Sequence, residues 1–290
     1  MRLGGLLLVL VAAPSAAQTL HYEGSAGLAT GTYIFTERTS SWNVSTGLAF
    51  SAGPVSLRAS LPVFYQSTAL IVSTGAGYVP TGGSSSSAVA DSSASRTGRG
   101  TTRRVSVVSP SLVASDGGVG ESVDVSTITS YRWAHGDPMV SASLSALRVG
   151  RLGVILGMTA KVPIVDTANF GTGAWDLGGS LSSSVILGYH VLVGVDLAYW
   201  YLGDPPGLEL TNPFVFGGTV SYLANSGWGF SAGVSGATPT IPGFAPSVSV
   251  TASLLRPGRA GSVGLLATVG LTETAPDVSA ALTWRVGLLQ

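Results

Sequence analysis

The ionisable residues that could do chemistry in this chain are few and well separated. Six of them interrupt stretches that are otherwise apolar or small: Glu23, Arg58, Lys161, Asp176, Asp196 and Arg285. If each stretch is an extended strand, its side chains alternate between two faces, and these charges share a face with small polar residues. Charges at membrane depth persist where they pair or meet water. The six residues therefore predict a polar lumen, in which they either form ion pairs that hold it shut or line a pore.

Other candidates for chemistry are weaker. The segment from Gly229 to Gly233 fits the G-x-S-x-G pattern of a nucleophile elbow, which requires a sharp turn from a strand into a helix. Ser231 instead lies inside an alternating strand, so we interpret it as a lumen-facing serine. The histidines lie far apart, without metal-ligand spacing, at His21, His135 and His190. We predict no catalytic residue, metal or cofactor, although a Ser-His pair of a barrel-type lipid hydrolase remains an alternative.

The elements that must position these charges are clearest at the end of the chain. From Asp277 to Leu288 the residues alternate strictly, with one apolar face (Val278, Ala280, Leu282, Trp284, Val286, Leu288) and one small or polar face. In a soluble sheet the apolar face packs on a core, whereas in a transmembrane barrel it contacts lipid and the polar face lines the lumen.

Composition favours the membrane. Of the 290 residues only 10% are charged and 45% are hydrophobic, whereas soluble domains carry about 25% charge. Beyond the first twenty residues no apolar run approaches the roughly 18 that a spanning helix needs, which leaves a closed antiparallel β-barrel. The net charge of +0 argues against nucleic acid as a partner, and the absence of Cys does not decide the compartment.

The N-terminus predicts export. Met1 and Arg2 give a positive start, Leu3 to Ala13 an apolar run, and Ser15 and Ala17 the small residues of a cleavage site. We expect a signal peptide at 1–17, cleaved near Ala17, and a single barrel domain at 18–290 in the outer membrane of a Gram-negative cell.

Turn signals divide this domain into about twelve strands, with fourteen possible. Short connections near Ala52, Arg148, Gly188, Ala224 and Arg256 alternate with connections that are mostly longer, as in outer-membrane barrels with short periplasmic turns. Residues from about 67 to 137, which include a Ser/Gly-rich tract, are predicted to form a long mobile outer loop.

Several short segments resemble a known family. They are Lys161-Val162-Pro163-Ile164, Gly171 to Asp176, Tyr199 to Pro205, Leu61 to Ser67, and Gly136-Asp137-Pro138. Together they resemble the transporter-like outer-membrane proteins described as "MetA-pathway of phenol degradation". The resemblance implies an outer-membrane barrel distantly similar to channels for fatty acids and aromatic hydrocarbons, with no agreed substrate and no catalytic residues.

These patterns predict a channel or transporter for the passive passage of small solutes, including hydrophobic or aromatic ones. Its partners would be outer-membrane lipid, the outer-membrane insertion machinery and the solutes. The alternatives are a barrel-type membrane enzyme, a plugged structural or adhesive barrel, and a soluble β-sandwich.

Overall fold

A computed structural model describes residues 18–33, 38–67, 71–80, 131–165, 172–204 and 209–289. The predicted signal peptide and most of the predicted loop at 67–137 lie outside these ranges, so both remain predictions. Within the loop segment the described residues form three short strands, at 71–74, 77–80 and 131–135. Among the described residues there is no helix with the length and apolarity that a membrane span requires.

The described residues form fifteen strands, numbered here in chain order. They are β1 (Gln18–Gly31), β2 (Thr39–Ala52), β3 (Val55–Ser67), β4 (Ile71–Thr74), β5 (Gly77–Pro80), β6 (Tyr131–His135), β7 (Met139–Val149), β8 (Leu152–Lys161), β9 (Asp176–Leu187), β10 (Val191–Tyr201), β11 (Phe214–Leu223), β12 (Gly229–Ala237), β13 (Ser247–Pro257), β14 (Gly261–Gly270) and β15 (Val278–Leu289).

Twelve of these strands close into an antiparallel ring. Neighbouring strands pair in chain order from β7 to β15, β15 pairs with β1, and the ring closes through β2, β3 and β7. Ring closure gives every strand two partners, which is how a sheet satisfies its backbone groups in lipid. The predicted all-β, twelve-stranded antiparallel barrel is confirmed, and the soluble sandwich of two stacked sheets is wrong.

Two strands, β6 and β7, pair with β3 one after the other, and residues 136–138 separate them. β6 pairs with one end of β3 and β7 with the other, and the intervening Pro138 cannot donate a backbone hydrogen bond. Gly136 N donates to Pro62 O at 2.8 Å. A Cβ at Gly136 would lie 2.5 Å from the Phe64 ring, so this close approach needs glycine. The interruption places Asp137 in a buried position.

The two faces of the ring carry different side chains. The outward face exposes large apolar residues on strand after strand, among them Trp42, Leu48, Leu156, Val195, Val220, Leu265 and Leu282. The inward face of the same strands is rich in hydroxyls, which meet across the ladders in pairs such as Ser231 with Ser221 and Thr251 with Thr268. Apolar outside and polar inside is the pattern of a transmembrane barrel.

The two ends of the ring differ in their connections. At the end where β1 begins and β15 finishes, adjacent strands are joined by two to five residues; we call it the turn end. At the other, the loop end, consecutive strands of the ring are joined by seven residues or more. This is the predicted asymmetry; which end faces the periplasm remains a prediction.

A short hairpin enters the ring at the loop end. β4 and β5 pair only with each other, and the tip residue Ala76 packs against a buried apolar cluster. The cluster consists of Tyr33, Trp200, Leu202, Leu210 and Ile241. Ala76 also shares a cavity of about 180 Å³ with residues of β11, β12 and β13. The tip therefore lies inside the barrel.

Candidate functional site

The lumen holds six of the charged side chains that the strands carry. Strand register places all six sequence-predicted charges on the hydroxyl-rich inward face. They do not form one site. Glu23, Arg58 and Arg285 meet toward the turn end, Lys161 and Asp176 meet toward the loop end, and Asp196 stands apart on β10.

The first group, which we call the arginine cluster, consists of Glu23, Arg58 and Arg285. Arg58 Nη2 lies 2.8 Å from Glu23 Oε2, and Arg285 Nε donates to Glu23 Oε1 at 2.7 Å while its Nη2 pairs with the same oxygen. The Glu23 side chain is 7% exposed, whereas those of Arg58 and Arg285 are 58% and 54% exposed. One buried carboxylate thus orients two guanidinium groups that remain open to the lumen.

Strand geometry explains how Arg58 reaches Glu23. Arg285 is the direct ladder partner of Glu23, but Arg58 is on β3 and a whole strand, β2, separates it from Glu23. The β2 residue opposite Glu23 is Gly47. Because glycine has no side chain, the space above β2 stays open and the ion pair can cross it.

The second group, which we call the lysine cluster, consists of Asp137, Lys161 and Asp176. Lys161 Nζ lies 3.4 Å from Asp137 Oδ2 and 3.1 Å from Asp176 Oδ2, and it also donates to Thr172 Oγ1. The three side chains are at most 2% exposed. Buried charges are tolerated when they are paired and hydrogen-bonded, and here one cation serves two carboxylates.

Backbone N–H groups compensate the remaining negative charge. Asp137 Oδ1 accepts from Ile164 N at 3.1 Å and from Val165 N at 3.0 Å. Asp176 accepts from Gly75 N at 2.8 Å and from Gly203 N at 3.0 Å. Hydrogen bonds of this kind stabilise the ionised carboxylate. The lysine cluster therefore ties together the interruption at residues 136–138, the β8–β9 and β10–β11 connections, and the tip of the β4–β5 hairpin.

Tight packing beside the lysine cluster holds the hairpin tip. A Cβ at Gly75 would overlap the Trp200 ring, and one at Gly178 would lie 2.8 Å from the same ring. Trp200 is 9% exposed and belongs to the apolar cluster that receives Ala76. The tip thus has a polar anchor at Asp176 and an apolar seat at Trp200.

Asp196 differs from the other charges. Among the described residues it has no ion pair, and it lines a cavity of about 510 Å³ with hydroxyls that include Ser182, Thr219, Ser231 and Thr251. β10 is the sixth strand from β1 in either direction around the twelve-strand ring, so Asp196 stands on the wall opposite Glu23. A carboxylate without a partner is stable there because the cavity opens it to water.

The structure gives Ser231 and the histidines no common site. Ser231 Oγ donates to Ser221 Oγ at 2.9 Å in the middle of the ladder, while His190 contacts the carbonyl of Leu223 at the turn end. In the part of the chain that the structure describes, no three His, Asp or Glu side chains gather as metal ligands would.

Sequence alternation located the charges but not all their partners. Asp137 and Thr172 were not predicted as site residues because both lie outside the alternating strands, where side-chain direction cannot be deduced from period two. One signal was present for Asp137. Asp137 lies between glycine and proline, at a break between two strand-like segments. At such a break the carboxylate can point into the barrel and does not have to face solvent.

Comparison with known proteins supports the fold. No known family pattern and no curated protein matches this sequence, so the resemblance to the phenol-degradation family is not confirmed. The crystal structure of an outer membrane channel from Pseudomonas putida F1 is similar, with a TM-score of 0.61 and 10% identity over 94% of this chain and 97% of that chain.

Two further solved structures are less similar. The CymD monoaromatic hydrocarbon channel has a TM-score of 0.43 and 12% identity, over 95% of this chain and 90% of that chain. The NanC porin has a TM-score of 0.44 and 9% identity, over 92% of this chain and 97% of that chain. At such identities the likeness concerns the fold alone.

Proposed function

We propose that this chain is an outer-membrane channel for the passive passage of small solutes. The observation that carries the proposal is the contrast between the two faces of a closed ring. Its outside is apolar, and its inside holds charges, hydroxyls and cavities of about 510 Å³ and 320 Å³. A closed ring with a polar, cavity-bearing interior is how β-barrels conduct solutes through lipid. The lipid around the ring and the barrel-insertion machinery are the proposed partners.

The range of solutes includes apolar and aromatic ones. At the loop end the apolar cluster around Trp200 adjoins a cavity that Ile241 and Phe244 help to line, which supports entry of such molecules. Hydroxyls and charges follow toward the turn end. Solutes that combine an apolar ring with a polar group best match a path that is apolar at the loop end and polar toward the turn end.

Reconstitution tests the proposal. The mature chain, inserted into planar bilayers, is expected to give discrete conductance steps, and liposomes containing it are expected to admit small solutes faster than empty ones. The heat-denatured chain is the control, because it has the same composition without the ring. Bilayers that stay sealed after verified insertion would contradict the channel.

A second candidate function has one observation in its favour. The β4–β5 hairpin occupies part of the loop end and is anchored at Asp176 and Trp200, as a plugged structural or adhesive barrel requires. Replacement of residues 71–80 by a short Gly/Ser linker distinguishes the two. A plugged barrel conducts only after the replacement, whereas a channel with a constriction conducts before it and more strongly after it.

A further inference from the structure

The arginine cluster carries one positive charge in excess. Two guanidinium groups share the single carboxylate of Glu23, and both of its oxygens are already engaged. An arginine has five N–H donors. Arg58 uses one nitrogen on Glu23 and Arg285 uses two. Among the described residues the remaining guanidinium donors have no protein acceptor, so donors and positive charge face the lumen together.

A cavity of about 320 Å³ lies against these donors. Hydroxyl side chains surround it: Ser25, Ser45, Ser60, Ser262 and Thr283. At about 30 Å³ for each water in the liquid, the cavity has room for about ten waters. Its size therefore suits a carboxylate with one small aliphatic or aromatic substituent.

The orientation of the guanidinium groups suits the same ligand. Planar guanidinium forks match the geometry of carboxylates and are weakly hydrated, so they release water readily when they bind. Glu23 restricts both side chains before any ligand arrives, which lowers the entropy lost on binding. The unpaired carboxylate among the described inward charges, Asp196, is on the opposite wall of the ring.

We propose that Glu23, Arg58 and Arg285 form a binding site for small monocarboxylates on the wall of the channel. Arg58 and Arg285 contact the ligand carboxylate, and Glu23 positions them. The proposal deepens the proposed function and rests on it for the role in passage, but the binding itself does not require conduction.

Block of chloride current by benzoate tests the site in the reconstituted full-length mature chain. Benzoate is expected to reduce the current, while benzamide, a neutral molecule of the same shape, is not. Arg58→Gln is expected to raise the half-blocking concentration of benzoate roughly threefold to tenfold, because it removes the excess charge. Arg58→Lys, which keeps the charge, is expected to stay closer to the unaltered chain.

Two further variants test the role of charge. Glu23→Gln frees a second positive charge but loosens the restraint on both guanidinium groups; we expect the added charge to dominate and the half-blocking concentration to fall. Arg256→Gln is the matched control, because Arg256 lies at the turn end, where it donates to Ser226 O and stacks over Trp228. Equal block of the unaltered chain and of Arg58→Gln, or equal block by benzamide, would overturn the site.

Calorimetric titration of benzoate into the detergent-solubilised barrel separates the two proposals. Barrels that do not conduct but bind benzoate in an Arg58-dependent manner would contradict the channel and leave the site intact. Barrels that conduct without Arg58-dependent binding would contradict the site alone. Heat-modifiable migration on gels verifies that each variant has folded.

Discussion

This barrel contains two clusters of three charged residues. Both are held by ion pairs, but one cluster is buried and the other is open to the lumen. In the lysine cluster all side chains are buried and every carboxylate is held by backbone N–H groups as well as by Lys161. In the arginine cluster only Glu23 is buried, and the cations are open to the lumen. A dry network of paired charges stabilises one arrangement, whereas a wet one keeps donors available to a ligand.

Alternation in the sequence could place these residues on a face but could not pair them. Pairing depends on ladder register and on the connections, which is why Glu23 and Arg285, far apart in sequence, become direct partners. Alternation alone assigns Asp196 and Asp176 to the same inward face and does not distinguish them. One is unpaired and exposed because of its place on the ring, and the other is buried beneath a hairpin.

Asn substitution of these two aspartates gives a matched test of this difference. Asp176→Asn removes a charge beside Lys161 and turns an amide N–H toward Gly75 N or Gly203 N, so we expect a loss of about 3 kcal/mol or more of unfolding free energy. Asp196→Asn is expected to change it by less than about 0.5 kcal/mol. Urea unfolding in detergent, followed by tryptophan fluorescence, measures both, and equal losses would contradict the assignment.

Among the elements, the β4–β5 hairpin was not identified from the sequence. Its strands have only four residues each, too short for alternation to stand out from the surrounding Ser/Gly-rich segment. The longer ring strands were predictable because each repeats the period several times. Strand β6 was missed as well, since the break at Gly136 to Pro138 separates it from β7 and hides that both continue one ladder.

A larger side chain at the tip of the β4–β5 hairpin tests whether the hairpin constricts the channel. In Gly75→Val the new side chain would overlap the rigid Trp200 ring, so we expect the tip to leave its seat and the single-channel conductance to rise. Cleavage within residues 71–80 by an added protease should become faster at the same time.

The control for this variant is Gly179→Val on strand β9. A Cβ at Gly179 meets nothing within 4 Å, so the same change in residue volume is expected to leave conductance and cleavage as they were. A conductance that stays constant in Gly75→Val, with the tip released according to proteolysis, would show that the hairpin does not narrow the path.

At the scale of the whole molecule, the composition was the most informative feature of the sequence. Only 10% of the residues are charged, which is too few charged residues to cover the outside of a soluble protein of this length. Several of these charged residues point into the lumen. The closure of the ring was predictable because no apolar run beyond the first twenty residues is long enough for a spanning helix, which leaves a closed barrel. Which strands face each other across the lumen was not predictable, because this depends on the strand order around the closed ring.

The inside-out arrangement makes a sharp prediction about adjacent residues. Val220 and Thr219 are neighbours in the middle of β11, but Val220 is 53% exposed on the outside and Thr219 lines the lumen cavities. Val220→Lys would place an ammonium group in hydrocarbon, and we expect it to cost about 2–4 kcal/mol of folding free energy in lipid. Thr219→Lys meets lumen water and should cost far less. Reversible folding into liposomes measures the difference; equal costs would mean that the outer face does not contact lipid, because only a hydrocarbon environment penalises one lysine and spares its neighbour.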